Sequence, residues 1–104
     1  MENLLLSEEF RKRRPIPRPF SFPWGNGQIV EEVSFRGRHH EPTIQLLEFT
    51  DGLELVRFCS YTLSGRFERN SWIASTPELK GLQIELQKTP RLKRHLAVLL
   101  SVDS

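Results

Sequence analysis

Two glycine-bearing turns in the middle of the chain constrain its fold more than any other feature. Asp51-Gly52 and Ser64-Gly65 each separate two runs rich in β-branched, aromatic and leucine residues. Asp-Gly between such runs is a strong signal for a two-residue hairpin turn, because both turn positions require a positive φ. Together with an earlier β-rich run that begins at residue 28, these runs predict a four-stranded antiparallel β-meander. Its strands are residues 28–36, 43–50, 53–62 and 66–74.

Two-residue turns also fix a register, since they make the flanking residues cross-strand neighbours. They place Leu47 opposite Val56, Leu46 opposite Arg57, and Arg57 opposite Trp72. In the first strand, Ile29 and Val33 fall on one side, with the period interrupted at Glu31. One predicted sheet face holds Leu47, Val56, Phe58 and Ile73, and the other holds Ile44, Leu46, Leu55, Cys59, Tyr61 and Trp72. Both faces are partly apolar, so the sheet needs cover on both sides.

One layer of cover is predicted at the C-terminus. Ser75 with Glu78 three residues later forms a capping box, and Thr89 before Pro90 is a second N-cap. Two leucine stripes follow, Leu79, Leu82 and Leu86, then Leu92, Leu96 and Leu99. The predicted fold class is therefore α+β, a meander followed by one or two C-terminal helices.

The first 24 residues differ in composition from the rest. Arg11-Lys12-Arg13-Arg14 runs into prolines at 15, 17, 19 and 23, which forbid a helix and favour an extended path. We predict an extended, partly disordered basic arm over residues 1–24 and one α+β domain over residues 25–104. The aromatic end of the arm, residues 20–24, is apolar enough to lie on the domain or on a partner chain. The second sheet face is left to the arm, a ligand or a second copy, and we expect a twofold homodimer.

Composition limits the other function classes. The chain has 104 residues, a net charge of +2 and one cysteine, so it has no disulfide framework or cysteine-based zinc site. It lacks a run of about 18 apolar residues and the basic-then-apolar order of a signal peptide. We expect no membrane partner and an intracellular location, either the cytoplasm or the nucleoid or nucleus.

The sequence gives no support for catalysis. There is no nucleophile elbow, and Gly25-Asn26-Gly27 does not open a helix as a phosphate loop would. The His39-His40-Glu41 cluster is typical of a solvated turn, since neighbouring side chains in a loop point apart. Cys59 is expected to be an inert buried thiol. We predict a non-enzymatic protein without metal or cofactor.

Arginines and rings are interleaved on adjacent predicted strands. Arg57, Arg66 and Arg69 accompany Tyr61 and Trp72, a combination that suits phosphate contacts and base stacking. Arg11, Lys12, Arg13 and Arg14 are a weaker electrostatic supplement. These residues predict binding of nucleic acid, preferably single-stranded. Core packing of the same rings, with arginines lying over them, is an equally physical interpretation.

A resemblance to a known family covers about residues 28–87. The matching segments are Ile44-Gln45-Leu46-Leu47-Glu48-Phe49, Leu55-Val56-Arg57-Phe58, the turn Ser64-Gly65 and Ser75-Thr76-Pro77-Glu78-Leu79. Their order resembles the positive-cofactor-four family of transcriptional coactivators, which implies a homodimeric, helix-backed sheet with single-stranded DNA along its strands. Arg57 matches the family's basic strand residue. Leu47, Thr50-Asp51-Gly52 and Ser71-Trp72 depart from its basic and glycine positions.

Two functions follow from these patterns. The first is a nucleic-acid-binding protein for single-stranded DNA, with a role in transcription or DNA maintenance. The second is a protein–protein interaction module or small subunit of a larger assembly, docked through the arm and the uncovered sheet face. Loss of affinity with salt distinguishes the two, because only phosphate contacts release many counterions.

Overall fold

The protein is an α+β chain with an antiparallel sheet and two C-terminal helices, as the sequence predicts. The computed structural model describes residues 14–69 and 71–101. The strands are β1 (Arg18–Phe22), β2 (Gly25–Ser34), β3 (His40–Phe49), β4 (Glu54–Thr62) and β5 (Phe67–Glu68), and the helices are α1 (Thr76–Leu86) and α2 (Pro90–Leu100). The strands follow one another in the order β1-β2-β3-β4-β5, each antiparallel to its neighbour.

Both predicted hairpin turns exist, but each contains three residues instead of two. In the β3–β4 turn the Gly52 N–H donates to the Phe49 carbonyl at 2.9 Å, and the Phe49 N–H donates to the Leu53 carbonyl at 2.8 Å. Gly52 has φ +92° and Gly65, in the β4–β5 turn, has φ +93°. Among the described residues only these glycines have a positive φ. Each turn is a type I turn closed by a left-handed glycine, a common three-residue hairpin loop.

The longer turns correct the predicted register by one residue. Leu47 pairs with Leu55, Leu46 with Val56, and Gln45, not Leu46, with Arg57. Because side chains alternate between faces with a period of two, the slip changes which side chains share a face. Leu46 and Val56 lie together on one face. Leu47 and Arg57 lie on the other.

The predicted fourth strand over residues 66–74 is much shorter than expected. Only Ser60 and Tyr61 of β4 pair with β5, through Glu68 and Phe67. The chain after β5 leaves the sheet and crosses one of its faces. There the Trp72 ring packs edge-on against the Phe58 ring, with ring centroids 5.5 Å apart. The predicted pairing of Arg57 with Trp72 is therefore wrong.

The sheet gains its fifth strand from the predicted arm. β1 pairs with β2 from Arg18 opposite Ile29 to Phe22 opposite Gly25. Pro19 is compatible with this position, since an edge strand needs fewer backbone donors than a central one, and Pro23 lies in the turn after β1. The predicted boundary between residues 24 and 25 thus falls inside the first hairpin. Residues 1–13, where most of the basic run lies, are outside the described residues.

A β-bulge in β2 explains the interrupted period around Glu31. Ile29 pairs with Leu47 and Glu31 with Leu46, so Val30 is the extra residue. The bulge reverses the alternation. Ile29 and Val33, predicted to share one face, therefore lie on opposite faces of the sheet.

The helices cover one face, which we call the helix face. Its buried core consists of Val33, Ile44, Leu46, Leu82, Leu92 and Leu96. The predicted capping box of Ser75 and Glu78 is present at the start of α1. At α2, Thr89 makes no capping bond through its side chain. Glu31 from the bulge accepts the Leu92 N–H instead, at 2.6 Å.

The opposite face, which we call the network face, is closed differently. A small apolar cluster of Phe20, Ile29, Leu47 and Phe49 lies at one end, with Ile16 and Phe22 against it. The sheet is curled, so that β1 side chains touch β4 side chains across this face: an Arg18 nitrogen lies 3.1 Å from the Tyr61 hydroxyl. The described part of the arm and the curl of the sheet together cover the face that the helices leave open.

Candidate functional site

A buried polar network occupies the centre of the network face. Arg18 in β1 forms a bidentate ion pair with Glu32 in β2, with N–O distances of 2.9 and 2.7 Å. Gln45 in β3 donates from its amide nitrogen to Glu32 at 2.7 Å and to the Tyr61 hydroxyl in β4 at 2.9 Å. Glu32 and Gln45 are 2% and 0% exposed. Four strands are thus joined by side-chain hydrogen bonds as well as by their backbones.

Glu32 is held as an anion in this network. Burial alone would raise the pKa of Glu32, but the hydrogen bonds from Arg18 and Gln45 outweigh that effect and lower it. For Arg18, burial opposes the charge, and the hydrogen bond and charge of Glu32 raise the pKa overall. The pair is charge-assisted and bidentate, which makes it directional as well as strong.

A second ion-pair group fixes the N-terminal end of the described chain. Glu41 accepts hydrogen bonds from Arg14 at 2.5 Å and from Arg36 at 3.1 Å. The Arg14 guanidinium also lies 3.8 Å from the centroid of the Tyr61 ring, a cation–π contact. The last residue of the predicted basic run is therefore docked on the sheet.

Arg57 is the exception among the network arginines. Its Nε donates to the Gln45 amide oxygen at 2.7 Å. It forms no ion pair with any carboxylate of the described residues. Its guanidinium carbon lies 5.1 Å from the Phe67 ring and 5.7 Å from the Phe22 ring. Its positive charge is oriented by a neutral amide and flanked by two rings.

Arg57 and three aromatic side chains lie together at the exposed border of the network face. We call this group the arginine–aromatic rim: Phe22, Trp24, Arg57 and Phe67. Trp24 is 64% exposed and stacks on Phe22 with ring centroids 5.0 Å apart and an interplanar angle of 3°. Phe67 is 47% exposed and touches Tyr61 edge-on at 5.7 Å. Exposed rings beside a cation without a carboxylate partner can accept a planar or anionic ligand.

The predicted site residues do not all meet at the rim. Arg57 belongs to it, and Arg66 and Arg69 are exposed on either side of β5. Tyr61 is 7% exposed, so its ring cannot accept a base without rearrangement. Trp72 lies on the helix face, where it packs against the core. Arg14 is bound to Glu41. Arg11, Lys12 and Arg13 are outside the described residues.

The structure adds residues that the sequence reasoning did not assign to a site. Phe22 and Trp24 belong to the aromatic segment expected to lie on the domain or on a partner chain, and their place at the rim depends on the β1–β2 pairing. Glu32 and Gln45 carry no local signal, because one glutamate and one glutamine in β-rich runs fit a solvated face equally well. They meet as cross-strand partners of β2 and β3 in a register that the bulge sets, and the curl of the sheet adds Arg18 and Tyr61 to them.

Other chemically active side chains are accounted for. Burial raises the pKa of the Cys59 thiol to about 11, which fits an inert thiol. The ring of His40 donates to the Ile73 carbonyl at 3.0 Å and Glu41 is committed to two arginines, so the His39-His40-Glu41 cluster does not converge. Neither described helix is long and apolar enough to cross a membrane.

Comparison with known proteins gives no relative for this chain: no family model, no curated protein and no solved structure matches it.

Proposed function

We propose that the protein binds single-stranded nucleic acid at the arginine–aromatic rim, without catalysing a reaction on it. The observation that carries the proposal is Arg57. Its guanidinium has no carboxylate partner among the described residues, is oriented by Gln45, and lies between Phe22 and Phe67. Most of the other arginines on this face are neutralised by Glu32 and Glu41, so the free charge is concentrated at the rim.

The rim supplies both interactions that single-strand binding needs. A guanidinium contacts phosphate oxygens through paired N–H donors, and exposed rings stack on bases whatever their identity. Trp24 and Phe67 supply the rings, and Arg66 and Arg69 add exposed charge next to Phe67. A duplex buries its base faces, so the rim favours single strands.

The buried residues have supporting roles in this proposal. Tyr61 holds the Phe67 ring edge-on, and Gln45 directs Arg57. Trp72 is not part of the proposed site. The likeness to the positive-cofactor-four family stays a hypothesis, in which Arg57 is the residue common to the resemblance and to the rim. A role in transcription or DNA maintenance is likewise a proposal.

Fluorescence anisotropy with labelled oligo-dT and oligo-rU, at two salt concentrations, tests the proposal. Phe67→Ala should cost about 1 to 3 kcal/mol of binding free energy, as expected for one stacked base. Arg57→Gln should weaken binding and reduce the slope of log K against log salt by about 0.7, the value for one phosphate contact with a single strand.

Arg94→Gln is the matched control, because Arg94 is an exposed arginine on α2 without an ion pair to the described residues. It should change affinity and salt slope far less than Arg57→Gln does. Absence of single-strand binding by the full chain at low salt would refute the proposal. Equal losses from Arg94→Gln and Arg57→Gln would refute the rim as its site.

A protein-interaction module is the second candidate function. One observation favours it: most of the outer edge of β4 has no strand partner among the described residues. Self-association as a twofold dimer also stays a prediction, and sedimentation of the full chain at tens of micromolar tests it.

A further inference from the structure

The outer edge of β4 is largely open. On its inner side, β4 pairs with β3 along its whole length, from Glu54 to Thr62. On its outer side, β5 pairs only with Ser60 and Tyr61. We call residues 54–58, which lie before that pairing, the open β4 edge. Within residues 14–69 and 71–101, no other strand lies against it.

The direction of the backbone groups on this edge follows from two hydrogen bonds. The Leu53 carbonyl accepts from β3, and the Thr62 N–H donates to Arg66 on the β5 side. N–H and C=O groups alternate sides along a strand, so odd-numbered residues of β4 face β3 and even-numbered residues face outward. The N–H and C=O groups of Val56 and Phe58 therefore point away from the sheet.

These outward groups have no backbone partner in the described part of the chain. A row of unpaired donors and acceptors on a strand edge is complementary to another extended backbone, because each residue added satisfies both kinds of group. Natural edges are usually blocked by proline, an inward charge or a covering loop. The open β4 edge contains no proline, the charge that it carries on the network face is Arg57, and Trp72 of the crossing chain packs on Phe58 without a backbone hydrogen bond to the edge.

The side chains beside the edge differ between the two faces. On the helix face lie Val56, partly buried, and Phe58, which is 43% exposed. On the network face lies Arg57, without a carboxylate partner among the described residues. A strand added here would place alternate side chains against an apolar surface and against a cation.

We propose that the open β4 edge is a docking site for an extended peptide segment whose acidic side chains alternate with apolar ones. The acidic side chains face Arg57, and the apolar ones pack beside Val56 and Phe58. Exposed Arg66 and Arg69 extend the positive charge past the end of the edge. The site is separate from the arginine–aromatic rim except for Arg57.

Charge selects such a segment over a second copy of the chain. In antiparallel pairing of two β4 strands, the two Arg57 side chains would lie opposite or near one another, with Arg66 and Arg69 of both copies close by. Like charges opposed across a strand pair are destabilising. An acidic segment turns this repulsion into attraction.

Amide hydrogen exchange by NMR tests the proposal on the full chain. The probe is a blocked synthetic hexapeptide of alternating glutamate and valine, and its control has lysine in place of glutamate. The acidic peptide should slow exchange at Val56 and Phe58 by at least about tenfold, since both N–H groups gain acceptors. Exchange at Leu55 and Arg57 should stay unchanged, because their N–H groups already face β3. The lysine peptide should not slow exchange at any of these four amides.

Two changes to the contact sharpen the test. Val56→Pro removes an outward N–H that the β3–β4 ladder does not use, and should abolish peptide protection at Phe58. If that variant does not fold, the same result is expected from the wild-type chain with a probe peptide carrying alternate N-methyl amides.

Three results would overturn the proposal. Peptide binding without protection of Val56 and Phe58 would exclude strand addition at this edge. Protection of both amides in the free chain at every concentration would show that the chain's own residues cover it. Protection that rises with protein concentration would assign the edge to a second copy. None of these results depends on nucleic-acid binding, so the two proposals fail independently.

Discussion

The two faces of one sheet are closed by different physical means. On the helix face, α1 and α2 bury an apolar core that includes Leu46, Leu82 and Leu92. On the network face, curling of the sheet brings β1 against β4, and the ion pair of Arg18 and Glu32 lies where a hydrophobic layer would otherwise be needed. Apolar residues on both faces of a strand therefore do not require two layers of helices.

The difference also explains where an exposed charged group without an ion-pair partner remains. The helix face is closed by apolar side chains, which need only van der Waals contact and no hydrogen-bond partner. The network face is closed by directional bonds, which leave one guanidinium, that of Arg57, oriented but without a carboxylate among the described residues. Functional groups are therefore expected at the network face and its edge, and stability is expected from both faces.

The largest expected effect comes from removing one partner of the buried ion pair. Glu32→Ala leaves Arg18 with an uncompensated, part-buried charge and should lower the free energy of unfolding by about 3 to 5 kcal/mol. Glu48→Ala removes a half-exposed partner of Arg91 on the helix side and should cost at most about 1 kcal/mol. Urea unfolding of both variants checks the comparison. Equal losses would mean that the network is not the stabilising element of its face.

Adjacent leucines in β3 compare the two apolar clusters directly. Leu46 and Leu47 are 0% and 2% exposed and point to opposite faces. Each change to alanine should cost about 2 to 5 kcal/mol, and Leu46→Ala should cost more, because two helices hold its cavity open. Around Leu47, the terminal segment carrying Ile16 can move in. Denaturant titration measures both, and a larger loss for Leu47→Ala would reverse the ranking of the two faces.

Acid should weaken the network face before the apolar helix-face core. The folded-state pKa of Glu32 lies below its ordinary value, so its contribution to stability is fully present above about pH 4.5 and is lost as pH falls through the folded pKa. The stability difference between the wild type and Glu32→Gln should therefore shrink as pH is lowered from about 4.5. Unfolding at a series of pH values measures it. A constant difference would show that Glu32 carries no charge-dependent stability.

The smallest expected effect is at the start of α1, on the helix face. Ser75→Ala removes the capping hydroxyl and should cost about 1 kcal/mol. Ser71→Ala, at an exposed serine in the same connecting segment, should change stability by less than about 0.5 kcal/mol. Thermal unfolding compares the two. A loss at Ser75 no larger than that at Ser71 would mean that sheet packing alone positions α1.

Local sequence signals predicted the two later turns and the helix starts, but they missed β1 and made β5 too long. The glycines at 52 and 65 mark both later hairpins, and Ser75 with Glu78 marks the start of α1. Each of these signals is encoded within a few neighbouring residues, so it depends little on distant contacts. The two leucine stripes of the helices were predicted to pack on the sheet, and this holds for only part of each stripe. Leu82, Leu92 and Leu96 are buried, but Leu79 and Leu99 are 46% and 65% exposed.

Registers were predicted poorly because a single residue changes them. The third residue in the β3–β4 loop moved Arg57 from a place beside Leu46 to a place beside Gln45. The extra residue Val30 separated Ile29 from Val33. An extra residue in a bulge or a turn shifts the period-two alternation of side chains to the opposite faces. Sequence alternation alone therefore could not assign residues to the two faces of the sheet.

The sequence by itself determined the α+β class, the antiparallel meander, the positions of the two later hairpins and the helix starts, because turn, capping and periodicity signals act over short distances. Only the tertiary structure decided that residues 18–22 join the sheet, that the sheet curls, and that Arg57 meets Phe22 and Phe67. Residues 18–22 form a local hairpin with β2, but its turn residues, Pro23 and Trp24, lack the glycine signal of the later turns, and the contact of Arg57 with Phe22 joins residues far apart in sequence. Their geometry depends on strand register and curl, which arise from the packing of the whole sheet.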